Sequence, residues 1–396
     1  MHHTHPVFIV LLAAFVAPLL AEIRVGFRLP VVVLEIVLGV LIGPQILNLA
    51  NPDEFFDVMK GFGTAAVMFM AGMEIDFEQI RGRPLSLALQ GWVVSLVLAL
   101  LLVGVLHVIP AVDAPMMVAI ALTTTGLGTM LPILRDGGQL DSIFGRLVLA
   151  AGTVGEVAPM VAVSLALSQR FTSWQEIGFL LAFLALVGLA VAVGTGLRPP
   201  RIIALLGRTM HSSTQMPIRL ALALMIALYV LSQDFGFEGI LGAFAAGLIV
   251  GLTTRGEDSR DFRIKIDAIC FGFLSPFLFI GTGLQFELGA LTRDVTSMIL
   301  MPTLLLLFLV VRGLPVFLYR KEMPLPERWP FALSSSVTSL SLVVVIAQIG
   351  LQAKSMSQDV AQALIAASVF SLLLYPAFAG ALLAKNPPLA PPADPG

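Results

Sequence analysis

SIFGRLVLAAGTVGEVAPMVAVSLALSQ (142–169) is apolar for long enough to cross a bilayer as a helix, and it carries Glu156 near its middle. An ionisable side chain at that depth costs roughly 3 kcal/mol or more unless it faces a cavity or a partner, so such residues mark proton or ion pathways. Arg312 is the other charge at the centre of an apolar run, MPTLLLLFLVVRGLPVFLY (301–319). The two could pair inside the membrane. A purely structural pair would be dispensable, because replacing buried ion pairs by hydrophobes is often neutral or stabilising. A functional role is therefore the favoured reading of both.

The rest of the chain has the same character. Hydrophobic residues make up 58% and charged residues 12%, too little polar surface for a soluble fold. Apolar runs of bilayer-spanning length recur near 6–22, 29–44, 55–73, 84–109, 114–134, 142–169, 174–195, 217–233, 237–252, 266–284, 296–319, 329–350 and 359–384. They are continuous rather than alternating, which predicts helices and not a β-barrel. The expected fold class is an all-α polytopic membrane protein of about 13 transmembrane helices, with residues 1–385 as one transmembrane domain and 386–396 (NPPLAPPADPG) as a disordered tail. The first run follows MHHTHP, which has no Lys or Arg, and no small-residue cleavage site follows it, so it reads as a retained helix. The single Cys270 excludes an intrachain disulfide framework and gives no metal cluster. No cofactor and no nucleic-acid partner are expected, and a net charge of −2 by itself says nothing about nucleic acid.

Basic residues set the orientation. With the N-terminus outside, Lys60, Arg170, Arg293 and Lys354 fall in outer connections; of the 23 Lys and Arg, all the others except Arg312 fall inside. The positive-inside rule then places the C-terminus in the cytoplasm of a multi-pass protein in the cell membrane.

The chain also repeats itself. A shift of 211 lays MFMAGMEIDF (68–77) on FIGTGLQFEL (279–288) and Thr123, Thr124 and Thr125 on Ser334, Ser335 and Ser336; a shift of 208 lays GVLIG (39–43) on GLIVG (247–251). Six helices, a linker helix at 174–195 and six more would give an inverted-topology repeat, 6–169 and 217–384, an organisation of secondary transporters. In such folds the site lies where two broken helices cross at the midplane. TTTGLGT (123–129), with Pro132 after it, and SSSVTSLS (334–341) are hydroxyl-rich islands in apolar spans. One island alone would read as Ser and Thr bonding back to the preceding turn; two at matching places in a repeat read as helix breaks. The repeat mates of Glu156 and Arg312 are Ala367 and Leu101, so both charges depart from an apolar scaffold.

Pro159 lacks an N–H and clashes with the carbonyl four residues back, so Gly155 is expected to present an unpaired carbonyl beside Glu156. Carboxylate plus carbonyl suits a hard monovalent cation or a proton rather than a transition metal. Pro315 should likewise free the carbonyl of Val311 beside Arg312.

LPVVVLEIVLGVLIGP (29–44), FMAGMEIDF (69–77) and EGILGAFAAGLIVG (238–251) together resemble the monovalent cation:proton antiporters of the second, Kef/Nap-like branch, of the sodium/hydrogen exchanger type, over residues from about 7 to 384. The resemblance implies a homodimer in the lipid bilayer, with a dimerisation domain and a mobile core domain, exchanging Na+ or K+ for H+ by alternating access. It places the ion-carrying carboxylate on Glu156 and its basic partner on Arg312. Gly155, Thr124 and Thr125 are the residues expected to join Glu156 in binding the ion or proton. Better-known members carry Asp-Asp, Asn-Asp or Gln-Asp where this chain reads Gly155-Glu156. One carboxylate instead of two implies electroneutral exchange. The nucleotide-binding domain of the long potassium-efflux relatives is not expected after residue 385.

Glu35 reads as facing an interface or a cavity, and Glu74 and Asp76 as a helix end or the lining of a funnel. Residues 198–216 read as an amphipathic segment lying on the membrane. Two other transport readings stay open: a potassium channel-like efflux conduit, although no filter loop such as TVGYG is present, and a proton-coupled symporter of a small solute, which needs a larger polar pocket. An enzyme is not expected, since no HExxH or Gly-x-Ser-x-Gly element occurs.

Overall fold

The structure, a computed structural model, describes residues 6–22, 31–74, 80–107, 114–126, 130, 134, 139, 142–167, 178, 214–235, 237, 239–254, 260–286, 289 and 295–385. Among these residues there is no strand. The helices are α1 (Pro6–Glu22), α2 (Val31–Ile42), α3 (Glu54–Glu74), α4 (Arg83–His107), α5 (Pro115–Leu122), α6 (Ile143–Leu167), α7 (Met216–Asp234), α8 (Gly239–Thr253), α9 (Arg260–Leu284), α10 (Val295–Gly313), α11 (Leu325–Ser335), α12 (Leu340–Gln352) and α13 (Gln358–Lys385). The expected linker helix 174–195 apart from residue 178, the segment 198–213, Asp76 and the tail 386–396 lie outside the described residues.

The apolar runs are the helices because each must close its own backbone hydrogen bonds away from water. Two expected spans are interrupted. The span expected to break over 329–350 is α11 and α12, bent by 42°. The run from 114 is helical only to Leu122 and leaves the helix at Thr123–Gly126.

α9 starts earlier than expected, at Arg260 rather than 266, so Arg260, Arg263 and Lys265 ride on the helix with Asp267. Within it Cys270–Leu274 widens into a π turn. The cause is local: Pro276 has no N–H to give, the N–H of Ser275 reaches back to the carbonyl of Cys270, and its hydroxyl donates to the carbonyl of Phe271 at 3.1 Å. Lys60, expected in an outer connection, lies in α3, which begins once the Asp53 carboxylate accepts from the N–H of Phe56 at 2.8 Å. It is buried, and its ammonium donates to Gln285 Oε1 at 2.5 Å.

The chain divides into two compact units. One comprises residues 1–75 and 167–286, the other 76–166 and 287–396. In the first, α2 and α1 pack on α9, while α3 packs on α8 and α9 and α7 packs on α8. Its core gathers Val10, Ala13, Ala50, Phe56, Phe277, Ile280 and Leu284.

Two glycine seams bring helices of this unit into backbone contact. A Cβ on Gly39 would lie 2.2 Å from the Ile280 carbonyl, and one on Gly43 would lie 3.3 Å from that of Leu284. Between α8 and α3, a Cβ on Gly247 would lie 1.8 Å from the Phe69 carbonyl, and one on Gly251 would lie 2.8 Å from that of Met73. The partners correspond by the two sequence offsets: Gly39 and Gly43 to Gly247 and Gly251, Phe69 and Met73 to Ile280 and Leu284. Small residues allow this approach, and close packing is what holds membrane helices together where lipid offers no hydrophobic drive. Gly247→Ala is therefore expected to cost about 3 kcal/mol or more, since the obstacle is backbone. Gly61→Ala on α3, where a Cβ meets nothing within 4 Å, should not destabilise. Thermal unfolding of the two variants in detergent checks this; equal melting temperatures would refute the seam.

In the second unit, α10 packs on α13, α11 and α4, and α12 packs on α13 and α5. The helix breaks, α6 and the buried arginine all belong to it.

Candidate ion-binding site at two helix breaks

The break after α5 is built by hydroxyls. Thr123 and Thr124 donate to the carbonyls of Ile120 and Ala121 at 2.7 and 2.8 Å, competing with continued helix, and their N–H groups make tight three-residue turns to the same two carbonyls. The break after α11 repeats the backbone pattern: the N–H of Ser336 reaches Leu333 and that of Val337 reaches Ser334. These turn bonds match at an offset of 213, Thr123 to Ser336.

The breaks lie against each other. The N–H of Gly126 donates to the Val337 carbonyl at 2.8 Å, and Thr125 Oγ1 donates to the Ser335 carbonyl at 2.6 Å. Gly126 has to be glycine, because a Cβ there would lie 2.6 Å from the Thr338 carbonyl. Thr338 is fastened in turn to α13, its hydroxyl 2.8 Å from Ser368 Oγ and 2.7 Å from Ser371 Oγ.

α6 runs beside the breaks and stays helical through Pro159. The carbonyl of Gly155 is not unpaired, as the sequence led one to expect. The N–H of Thr125 donates to it at 3.0 Å, so the acceptor freed by Pro159 docks one broken helix onto α6. Glu156 is buried, 6% exposed, and Ser339 Oγ donates to its Oε1 at 3.4 Å. Ser339 precedes the first residue of α12, yet its hydroxyl makes no capping bond to its own helix. The carboxylate thus stands at a helix N-terminus, whose unsatisfied N–H groups favour negative charge.

Arg312, 4% exposed, is held from several sides. Its Nε donates to Thr125 Oγ1 at 2.8 Å and to the Ser335 carbonyl at 3.4 Å; Nη1 donates to Ser95 Oγ at 3.4 Å and Nη2 to the Ala151 carbonyl at 3.1 Å. Pro315 does free the carbonyl of Val311, and Ser95 Oγ donates to it at 2.9 Å. A Cβ on Gly155 would lie 2.6 Å from Thr125 Cβ and 2.9 Å from Arg312 Nη2. The space that a side chain at 155 would take is filled by the threonine and the guanidinium.

The structure therefore gathers Thr123, Thr124, Thr125, Gly155, Glu156, Arg312, Ser334, Ser335 and Ser336 in one unit. Not all of them offer oxygen to an ion. Ser335 Oγ donates its one proton among the carbonyls of Phe331 at 2.9 Å and of Ala332 and Arg312 at 3.2 Å, and Ser336 Oγ donates to that of Ala332, so these two hold the break itself. Ser334 is fully buried. Glu35 and Glu74 belong to the other unit: Glu35 is buried in α2, and Glu74 ends α3 with Asp267 and Arg263 of α9 as its charged neighbours. Ser339 and Ser95 are functional-site candidates that reading the sequence missed. Ser339 could have been found as the last hydroxyl before the second half-helix; Ser95, one serine in an apolar span, gave no signal.

A carboxylate at a helix N-terminus, hydroxyls at two helix breaks and a fixed guanidinium can bind a hard monovalent cation or a proton and hold one charge constant. Residues 10–385 match the family described as sodium/hydrogen exchanger, transmembrane. A putative Na(+)/H(+) antiporter of Bacillus subtilis, YjbQ, is 28% identical over 384 residues, covering 93% of this chain and 61% of the relative, so the chain spans about three fifths of that protein's length. The Na(+)/H(+)-K(+) antiporter GerN of Bacillus cereus is 22% identical over 285 residues, 70% of each chain. The fold is that of the sodium proton antiporter MjNhaP1 from Methanocaldococcus jannaschii, with a TM-score of 0.66 at 20% identity, over 96% of this chain and 98% of that one.

Proposed function

The chain belongs to the sodium/hydrogen exchanger family, and from that premise we propose that it exchanges a monovalent cation, Na+ or K+, for a proton across the cell membrane by alternating access. The observation that carries this reading is Glu156, a carboxylate buried at the N-terminus of a half-helix beside two helix breaks. A proton and a cation would compete for it, and each would leave toward the side from which the site is open. Relatives whose names specify Na+, H+ and K+ support the choice of ions. The family is one of transporters, not of enzymes.

In this reading the cation is held by the Glu156 carboxylate with lone pairs of the Thr123 and Thr124 hydroxyls, whose protons are committed to their own helix. Thr125 is committed to the Ser335 carbonyl and to Arg312, which makes it a support and not the first choice of ligand. The unit that carries the site acts as the mobile core domain, and the other as the dimerisation domain of a homodimer, with Glu35 and Glu74 outside the exchange site. The inverted repeat, the linker helix at 174–195, an outer N-terminus and a cytoplasmic C-terminus complete the proposal. Glycine partners at two sequence offsets and matching turns at the breaks support the repeat.

Reconstituted vesicles with an imposed pH gradient test the exchange. Adding Na+, K+ and Li+ in turn should collapse the gradient for at least one of them, with saturation and counterflow; flux without a proton gradient effect would point to a conduit instead. Exchange should also be electroneutral. One carboxylate trades one proton for one cation while Arg312 stays protonated. Na+-driven rates at several valinomycin-clamped potentials should be equal, and a rate that climbs with potential would reveal a second charge carrier.

A further inference from the structure

The two hydrogen bonds of Ser95 meet at one place. Its hydroxyl donates to the Val311 carbonyl at 2.9 Å and accepts from Arg312 Nη1 at 3.4 Å. Val311 and Arg312 are consecutive, so one hydroxyl on α4 holds both the backbone that carries the arginine and its guanidinium. The side chain is fully buried, while its helix neighbours Val93, Val94 and Val97 are exposed, as lipid-facing residues of a membrane helix are. An isolated serine in an apolar helix ordinarily bonds back to its own preceding turn; this one reaches α10 instead. The carbonyl it meets is the one that Pro315 leaves without an N–H, and a buried carbonyl without a partner is costly.

We propose that Ser95 is a positioning residue for cation binding at Glu156, acting through Arg312. The inference rests on the exchange reading above and adds a residue to it. Nη2 of the same guanidinium lies 2.9 Å from where a Cβ of Gly155 would stand, next to Glu156 in the chain. Ser95 and Thr125 set how far the guanidinium can advance toward the carboxylate. With the serine hydroxyl removed, Nη1 loses an acceptor in a buried place, and the guanidinium is released on the side where Gly155 and the chain that carries Glu156 lie. A guanidinium that moves onto the Glu156 carboxylate competes with the cation for it, so the cation binds more weakly although no ligand of the cation has been touched.

The test compares Ser95→Ala, which deletes the hydroxyl, with Ser95→Thr, which keeps it, in full-length protein. Carbodiimide labelling of Glu156 at one fixed pH, protected by increasing Na+ or K+, reads cation binding without requiring transport. A hydrogen bond to a charged group is worth enough that Ser95→Ala should need about tenfold more cation for half-protection. Ser95→Thr should stay within about twofold of the wild type, and in vesicles the alanine variant should show a raised KM with a maximal rate close to wild type. An unchanged protection midpoint in Ser95→Ala overturns the proposal. Equal impairment of the alanine and threonine variants overturns it as well, because it would mean that packing and not the hydroxyl matters. If wild-type vesicles exchange nothing while the protection midpoints still differ between the two variants, the exchange reading fails and the role of Ser95 stands.

Discussion

Glu156→Gln is expected to abolish cation-dependent proton exchange while leaving a folded, membrane-inserted protein. Glutamine keeps the length and shape of the side chain and can still meet the hydroxyl of Ser339, which stands 3.4 Å from Oε1. What it loses is the charge, and with it both the proton to be carried and the attraction for a cation. Arg312 stays a buried cation whose N–H groups keep their acceptors on Thr125, Ser95, Ala151 and Ser335, so the fold should survive. Glu156→Asp keeps the charge but withdraws it by one methylene from the end of α12, and should retain a reduced rate. The measurement is dissipation of an imposed pH gradient on adding Na+ or K+, beside size-exclusion profiles of the purified variants. Wild-type rates in the glutamine variant would remove Glu156 from the mechanism.

Gly155→Ala should be nearly as damaging, which is unusual for a single methyl group. The new carbon would lie 2.6 Å from Thr125 Cβ, 2.8 Å from Thr125 Oγ1 and 2.9 Å from Arg312 Nη2. Neither neighbour is free to yield: Thr125 is tied through its N–H to Gly155 itself and through its hydroxyl to Ser335, and the guanidinium is tied to four residues. Overpacking of this kind costs about 1–3 kcal/mol, and here it falls on the arrangement that positions the charges, so exchange should drop roughly 10- to 100-fold. Gly104→Ala on α4, where a Cβ meets nothing within 4 Å, is the control and should exchange normally. Gly155→Asp, which would imitate the paired carboxylates of other antiporters, meets the same obstruction and should not produce a potential-driven, electrogenic exchanger. Near wild-type rates in Gly155→Ala would show that Thr125 and Arg312 are looser than their hydrogen bonds imply.

Much of this was legible in the residues. Apolar runs gave the helices because a backbone in lipid must satisfy itself. Glu156 and Arg312 stood out because charge at membrane depth has few harmless explanations. The islands at 123–129 and 334–341 marked the helix breaks, although hydroxyls match between them at an offset of 211 and turn bonds at 213. The turn bonds that define a break are made by backbone, and they take Val337 as readily as a serine. The carbonyl of Gly155 was identified as released by Pro159, but one sequence could not say that Thr125 would claim it. Lys60 was misplaced because a Lys near the end of an apolar run looks like loop until its partner, Gln285, is brought to it from far along the chain.

The glycine seams have a consequence for how the protein is made. Gly39 meets Ile280, a residue synthesised about 240 positions later, and Phe69 waits for Gly247. At ribosomal rates of about 5–20 residues per second, the first two helix surfaces stand in the translocon's surroundings for on the order of tens of seconds before their partners exist. Both units are assembled from two separate stretches of chain. Assembly is therefore post-insertional by construction, and nascent chains halted before residue 247 should stay open to proteases and to insertion chaperones, whereas chains released after residue 284 should close at once.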